Sequence, residues 1–247
     1  MQIIRAKGLG GLIMLWNKDV HLKILNHNNR FIDFYIVCPI TNFEWYATSF
    51  DGFSNHNEKL KSCDLINSIK ASHQHDNWLI FGDFNMILHE TEKMGGNPID
   101  INIFDNFHNT INNCNLIDLG YMGDIFTWAN NQPDTHYIQE RIDKFLATPS
   151  WISNYPKFYN NHLLRYALDH NPILLEFFAN NECRAPKRYH MPRFEQLWLQ
   201  NEATPTLFKL LGILVKERLL TSSRTLSIIF IIGERKSLVI FLRKSQN

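Results

Sequence analysis

Apolar residues in this chain fall into short blocks separated by longer interrupted patterns, and the two periods predict different elements. Leu12-Ile13-Met14-Leu15-Trp16, after the Gly10-Gly11 pair, reads as a buried strand. Residues 31–37 and 45–50 are rich in aromatic and β-branched side chains, and the turn formers of Cys38-Pro39-Ile40-Thr41-Asn42 lie between them, which predicts a hairpin. Across 58–71, Leu65, Ile66 and Ile69 recur at helical spacing. The next run, Trp78-Leu79-Ile80-Phe81, stops at Gly82 and reads as a strand. Ile103, Phe104, Phe107 and Ile111 mark the face of a second helix. Strand-like stretches follow at 116–119, 126–128, 142–146 and 173–178. Strands of uneven spacing with helices between them predict an α/β (α+β) fold of two packed sheets flanked by helices, more than a regular βαβ barrel.

Composition adds limits. The 247 residues are 45% hydrophobic and 13% aromatic, enough to bury a sizeable core and to exclude wholesale disorder. The formal charge of +1 hides an asymmetry: residues 1–204 carry 17 Lys+Arg against 22 Asp+Glu, and residues 205–247 carry 8 against 2. A domain over 1–180, a basic linker over 181–204 built around Arg184-Ala185-Pro186-Lys187-Arg188, and a basic, apolar tail of unrelated character over 205–247 are expected. Cys38, Cys63, Cys114 and Cys183 are too widely spaced for a zinc motif and suit a reduced intracellular chain. No membrane partner is expected. The first ten residues lack the apolar core of a secretory signal, and Glu234-Arg235-Lys236 interrupts the most apolar stretch, 226–242.

Candidate chemistry lies in three places. Gly82-Asp83-Phe84-Asn85 follows a strand, and an extended backbone would turn Asp83 and Asn85 to one side and Phe84 to the core. A carboxylate that accepts a proton from water beside an amide that donates to a phosphate or carbonyl oxygen suits hydrolysis; an ordinary Gly-Asp-Asn turn is the alternative. Asp169 and His170 stand at the entrance to the strand at 173–178, where adjacent side chains diverge, so His170 needs another carboxylate to orient it. Asp143, between Ile142 and Phe145, is the candidate; a surface salt bridge to Arg141 or Lys144 is the alternative for it, and a satisfied structural histidine for His170. Gly-x-Ser-x-Gly, His-Glu-x-x-His and Gly-rich phosphate loops are absent from the sequence. His73-Gln74-His75 and Met94-Gly95-Gly96 receive no role.

Taken in order, Gly82-Asp83-Phe84-Asn85, Arg141-Ile142-Asp143 and Asp169-His170 resemble the endonuclease/exonuclease/phosphatase superfamily, the fold of DNase I and exonuclease III. The intervening text, including Glu92-Lys93-Met94-Gly95-Gly96, Phe126-Thr127-Trp128-Ala129-Asn130 and Pro149-Ser150-Trp151, looks like the endonuclease domain of plant LINE-type retrotransposons over about residues 8 to 200. The resemblance implies a four-layered α/β sandwich and a nuclear DNA endonuclease dependent on Mg²⁺ or Mn²⁺. Asp83 would activate water, Asn85 would hold the scissile phosphate, His170 would stabilise its charge, Asp143 would orient His170, and Asp169 would help hold the metal. The sequence also departs from the family. Met1 to Gly10 hold no Asp, Glu or Asn to match the family's early metal ligands, Asp51 stands at the tyrosine of its Phe-Tyr-Gly segment, and Leu168 replaces the serine before Asp-His. These departures imply impaired metal binding, a sandwich lacking its opening strands, and an uncovered sheet edge or groove prone to self-association. An inactive remnant that binds nucleic acid through Arg184, Lys187, Arg188 and the tail is the alternative.

Overall fold

The computed structural model describes residues 2–5, 12–16, 20–38, 42–133, 136–163 and 169–178, together with strands at 225–233 and 236–243. Two six-stranded sheets pack face to face. The first runs, in spatial order, β1 (Gln2–Arg5), β2 (Ile13–Trp16), β15 (Lys236–Arg243), β14 (Thr225–Gly233), β13 (Ile173–Phe178) and β12 (Phe158–His162). The second runs β3 (Leu22–His27), β4 (Phe31–Val37), β5 (Glu44–Asp51), β6 (Trp78–Asp83), β11 (Asp143–Ala147) and β8 (Ile117–Asp118). A small ribbon of β7 (Lys93–Met94), β10 (Gln139–Glu140) and β9 (Trp128–Ala129) lies beside them.

The apolar run at 78–81 is continuous because β6 is covered on both faces. Leu79 and Phe81 enter the layer between the sheets with Phe34, Trp45, Phe145, Trp151 and Phe177. Trp78 and Ile80 point the other way, under helices α1 (Lys59–Ser72) and α2 (Ile101–Asn113), against Ile66, Ile69, Phe107 and Ile111. Each such side chain, fully withdrawn from water, contributes about 1.5–3 kcal/mol. Asp100 caps α2 by accepting from the Ile103 backbone N–H at 3.2 Å. Among the described residues the helical layer covers the second sheet, while a short helix, α3 (Pro149–Asn154), wedges Trp151 and the following Tyr155 into the layer between the sheets. The fold is the α/β sandwich expected, with α1, α2, β2, β4, β5, β6, β8, β9, β11 and β13 where the periodicity put them; α3 and the other strands lay outside the expected elements, β3 because its side chains are largely exposed and weakly patterned.

His73, the first of the two histidines after α1, has a structural explanation. His73 Nε2 lies 3.1 Å from the buried Asp33 on β4, Thr48 donates to that same carboxylate at 2.6 Å, and Trp78 Nε1 donates to Thr48 at 2.9 Å. Tyr46 stacks on the His73 ring at 3.9 Å. The cluster pins the end of α1 to the sheet.

The groove expected in the first sheet is filled. β14 pairs antiparallel with β13, from Ile173 opposite Phe230 to Phe178 opposite Thr225, and β15 runs parallel to β2, with Leu15 opposite Ile240. The apolar, β-branched stretches at 226–232 and 238–242 suit interior strands, so residues expected to stand apart as a tail enter the same sheet, and an open edge between β2 and β13 no longer offers a basis for self-association. Among the described residues no helix is long and apolar enough to cross a membrane. The basic cluster Arg184, Lys187 and Arg188 lies outside the described residues.

Gly82, near the end of β6, is the most constrained glycine among the described residues. Its φ is +136°, and a Cβ there would meet the Phe50 carbonyl oxygen at 2.0 Å, whereas a Cβ on Gly120, φ +66°, would meet nothing within 4 Å. Gly82→Ala is expected to cost about 3 kcal/mol or more and Gly120→Ala about 1–2 kcal/mol, measured by urea unfolding.

Candidate active site

Strands β6 and β11 are antiparallel neighbours, and their register sets Asp83 directly opposite Asp143. Alternation along each strand places these carboxylates on the same face as Phe81 and Phe145, so both lie at one end of the layer between the sheets. Beyond β6 the chain turns tightly. Phe84 packs inward among Phe50 and Phe107, as expected, with its backbone N–H donating to the Ile142 carbonyl at 2.9 Å. Asn85 departs from the extended geometry expected for it. Its φ is +55°, its backbone N–H donates to Asp83 Oδ1 at 2.8 Å, and its Nδ2 donates to Asp83 Oδ2 at 2.9 Å and to the Gly52 carbonyl at 3.1 Å. The turn joins Asn85 to Asp83 because an Asp side chain readily accepts from the backbone two residues on, and Asn tolerates the left-handed region.

His170 reaches the same place from the loop before β13. Its Nδ1 lies 2.9 Å from Asp143 Oδ2, and both side chains are buried. The carboxylate that meets His170 is therefore Asp143, and the surface salt bridge to Arg141 or Lys144 that was the alternative for Asp143 does not form. Arg141 and Lys144 take other partners. Arg141 forks onto Asp118, at 2.6 and 2.9 Å, and also reaches Glu92 Oε1 at 2.5 Å; Lys144 lies 3.0 Å from Glu92 Oε2 and donates to the carbonyls of Arg141 and Met86. Glu92 and Asp118 are held below the usual carboxylate range: burial opposes ionisation, but Lys144 and Arg141 outweigh it at Glu92 and Arg141 does so at Asp118. This buried network fixes the loop after Asn85 and the start of β11 from behind the site.

Thr127 is a structural link between the strands of the site that motif reading did not single out. Fully buried, its Oγ1 accepts from the backbone N–H groups of Ile142 at 3.1 Å and Asp143 at 3.0 Å, while its carbonyl accepts from the Asn171 N–H at 2.6 Å. The next residue, Trp128, bridges to His170. One threonine thus ties the Asp143 strand to the His170 loop, and its only sequence signal was a place in Phe126-Thr127-Trp128.

Charge crowding dominates the electrostatics. Burial first, then the neighbouring Asp143, pushes the Asp83 carboxyl up to about 8. Burial alone would lower His170, but Asp143, through its charge and its hydrogen bond, holds the imidazole up at about 9. Asp51, opposite Asp83 on the adjacent parallel strand β5, is raised to about 6 by burial, with Arg30 and His170 opposing that shift. Among the described residues, Asp83, Asp143 and His170 each offer a ligand atom within 4.8 Å of the others. Asp143 Oδ1 is buried without a hydrogen-bond partner. That orphaned hard oxygen beside a second carboxylate fits a divalent cation. Asp169, the ligand implied by resemblance, is not in this group; its charge helps hold His170 protonated, and its carbonyl accepts from Ala129 N–H at 3.1 Å.

No protein-family model and no curated protein matches the chain. Solved structures do. The endonuclease domain of TRAS1, a telomere-specific non-LTR retrotransposon, aligns over 64% of this chain and 69% of its own length at 17% identity, with a TM-score of 0.50. The chain has the endonuclease/exonuclease/phosphatase fold. Other structures similar to this DNase I-like fold include a 3′ phosphatase from Neisseria bound to a product DNA hairpin, at 15% identity over 65% of this chain and 70% of that one, TM-score 0.47. A 3′–5′ exonuclease from Neisseria meningitidis follows at 16% identity, 64% and 70% coverage, and TM-score 0.45.

In the metal-free protein, both raised values couple stability to pH with the same sign. Folded Asp83 and His170 hold protons that the unfolded chain has released, as Asp51 does up to about pH 6, while His162, pushed down to about 4 by burial, opposes them up to about pH 6.5; above that, stability falls as pH rises toward 9. Melting temperature measured in EDTA is expected to fall over this range. Asp83→Asn makes the slope shallower between about pH 6.5 and 8 and leaves the part that His170 contributes.

Proposed function

We propose that this protein is a divalent-metal-dependent phosphodiesterase acting on DNA, an endonuclease of retroelement type. The observation that carries the reading is the convergence of Asp83, Asp143 and His170 within 4.8 Å, with Asn85 bonded to Asp83. Hydrolysis of a phosphodiester needs a nucleophilic water in line with the leaving oxygen and neutralisation of the charge that develops on phosphorus-bound oxygens. Asp83 in its ionised form accepts the proton of the attacking water, with the His170 imidazolium opposing the burial and the Asp143 charge that raise its pKa. His170, protonated at neutral pH and oriented through Nδ1 by Asp143, donates from its other ring nitrogen to a phosphate oxygen. Asn85 donates its amide to the phosphate after exchanging a bond it now makes to Asp83 or Gly52. Asp83 and Asp143 would hold a divalent ion, which would supply charge neutralisation that these side chains alone do not. A retroelement endonuclease meets its substrate in the nucleus.

Asp51 favours a second reading, a folded remnant with little activity. A carboxylate beside Asp83 repels phosphate where a hydroxyl would donate to it. Nicking of supercoiled plasmid with Mg²⁺, Mn²⁺ or EDTA separates the two readings. The active reading expects metal-dependent nicking that His170→Ala lowers by about 10²- to 10³-fold and Asp51→Tyr raises. Folded protein without nicking, in either the native chain or Asp51→Tyr, would establish the remnant.

A further inference from the structure

Beside Asn85 a cleft of about 260 Å³ opens between the start of α1, the loop leading into α2, and β10. Its size falls just under the ~300 Å³ at which sites for drug-sized ligands begin, which leaves room for a small unit. Ile87, Ile99, Phe104 and Ile138 form apolar walls. Three cationic or protonatable side chains, His56, Lys59 and Lys93, line the polar side, and two are already matched: His56 lies 3.0 Å from Asp100, and Lys93 pairs with Glu140. Lys59 has no ion-pair partner within 4.0 Å among the described residues. It is nonetheless partly buried, at the first residue of α1, and close enough to feel the charges of Glu140 and Asp83. Burial pulls its pKa down, the mark of an ammonium withdrawn from water without full compensation.

A cation short of a partner, set in an apolar cleft that shares Asn85 with the active site, is matched by a group carrying both an anion and a flat apolar face. We propose that the cleft is a subsite for the nucleotide flanking the scissile phosphodiester of a DNA strand. Its phosphate sits on Lys59 and its sugar and base lie against Phe104, Ile99 and Ile138. The subsite rests on the endonuclease reading above and deepens it: Lys59 fixes the register of the strand, and Asn85 is shared between the flanking and the cleaved phosphate groups. Lys59 is a binding residue, and the chemistry stays with Asp83 and His170.

Counterion release supplies a readout independent of turnover, because each phosphate neutralised by a protein cation adds about 0.9 to the slope of log affinity against log salt on duplex DNA. The full chain in EDTA is titrated with a short fluorescent DNA duplex, by anisotropy, across a salt series. Lys59→Met is expected to make the slope shallower by about 0.9 and to weaken binding about eightfold near 0.1 M salt, while Lys59→Arg keeps both at wild-type values. Circular dichroism checks folding, and Lys59→Gln replaces the methionine variant should that one unfold. Wild-type slope and affinity in the charge-removed variant overturn the subsite, even when the native chain nicks plasmid and the endonuclease reading stands. A native chain that neither binds the duplex nor nicks plasmid overturns that reading, and the subsite with it.

Discussion

The structure around the site is governed by the cost of holding two carboxylates side by side out of water. Asp83 and Asp143 face each other across neighbouring strands, at the end of a layer otherwise filled by Phe81, Phe145 and other apolar side chains. In such surroundings each negative charge is opposed by desolvation and by its neighbour. Three compensations lie within reach: a proton on Asp83, an imidazolium at His170, and hydrogen bonds to Asp83 from the Asn85 backbone and side chain. None of them satisfies Asp143 Oδ1. Asp143 Oδ1 therefore stays an unfilled ligand position, which a divalent ion replacing the proton on Asp83 would occupy.

The surrounding packing keeps the acids from separating. Gly82 admits the Phe50 carbonyl at a distance no side chain would allow, drawing β5 and β6 together where Asp51 meets Asp83. Thr127 clips the backbone of Asp143 to the loop that carries His170. Behind both, Arg141 and Lys144 neutralise Glu92 and Asp118 rather than Asp143, so the strongest cations nearby are engaged away from the site. Had either turned to Asp143, as a surface salt bridge would require, the imidazole would have lost its orienting partner.

Much of this was legible in the chain because its signals are local. Two-sided burial of Trp78 to Phe81 shows as an unbroken apolar run, and the helix faces of Ile66, Ile69, Phe107 and Ile111 show as period. The ordered motifs carrying Asp83, Asp143 and His170 could be matched to a family without knowing their distances. What escaped was set by long-range pairing. The turn at Asn85 depends on Gly52 across the sheet, Thr127 looks like any strand threonine until its two backbone donors are seen, and Lys59 belongs to an exposed-looking Lys-Leu-Lys. The stretch at 226–242 was read against a lipid bilayer because hydropathy does not tell an interior strand from other apolar company.

The seating of β14 and β15 governs how the molecule must come together in time. The centre of the first sheet is built by joining Leu15 to Ile240, from opposite ends of the chain, and Ile173 to Phe230, while β3 to β5 assemble from consecutive segments. Closing so long a loop costs entropy before any pairing repays it, and topologies dominated by such contacts fold slowly. Asp83 with Asp143 and Ile173 with Phe230 close loops of similar length, so the pairing of β2 with β15, across almost the whole chain, is the step that topology makes slowest.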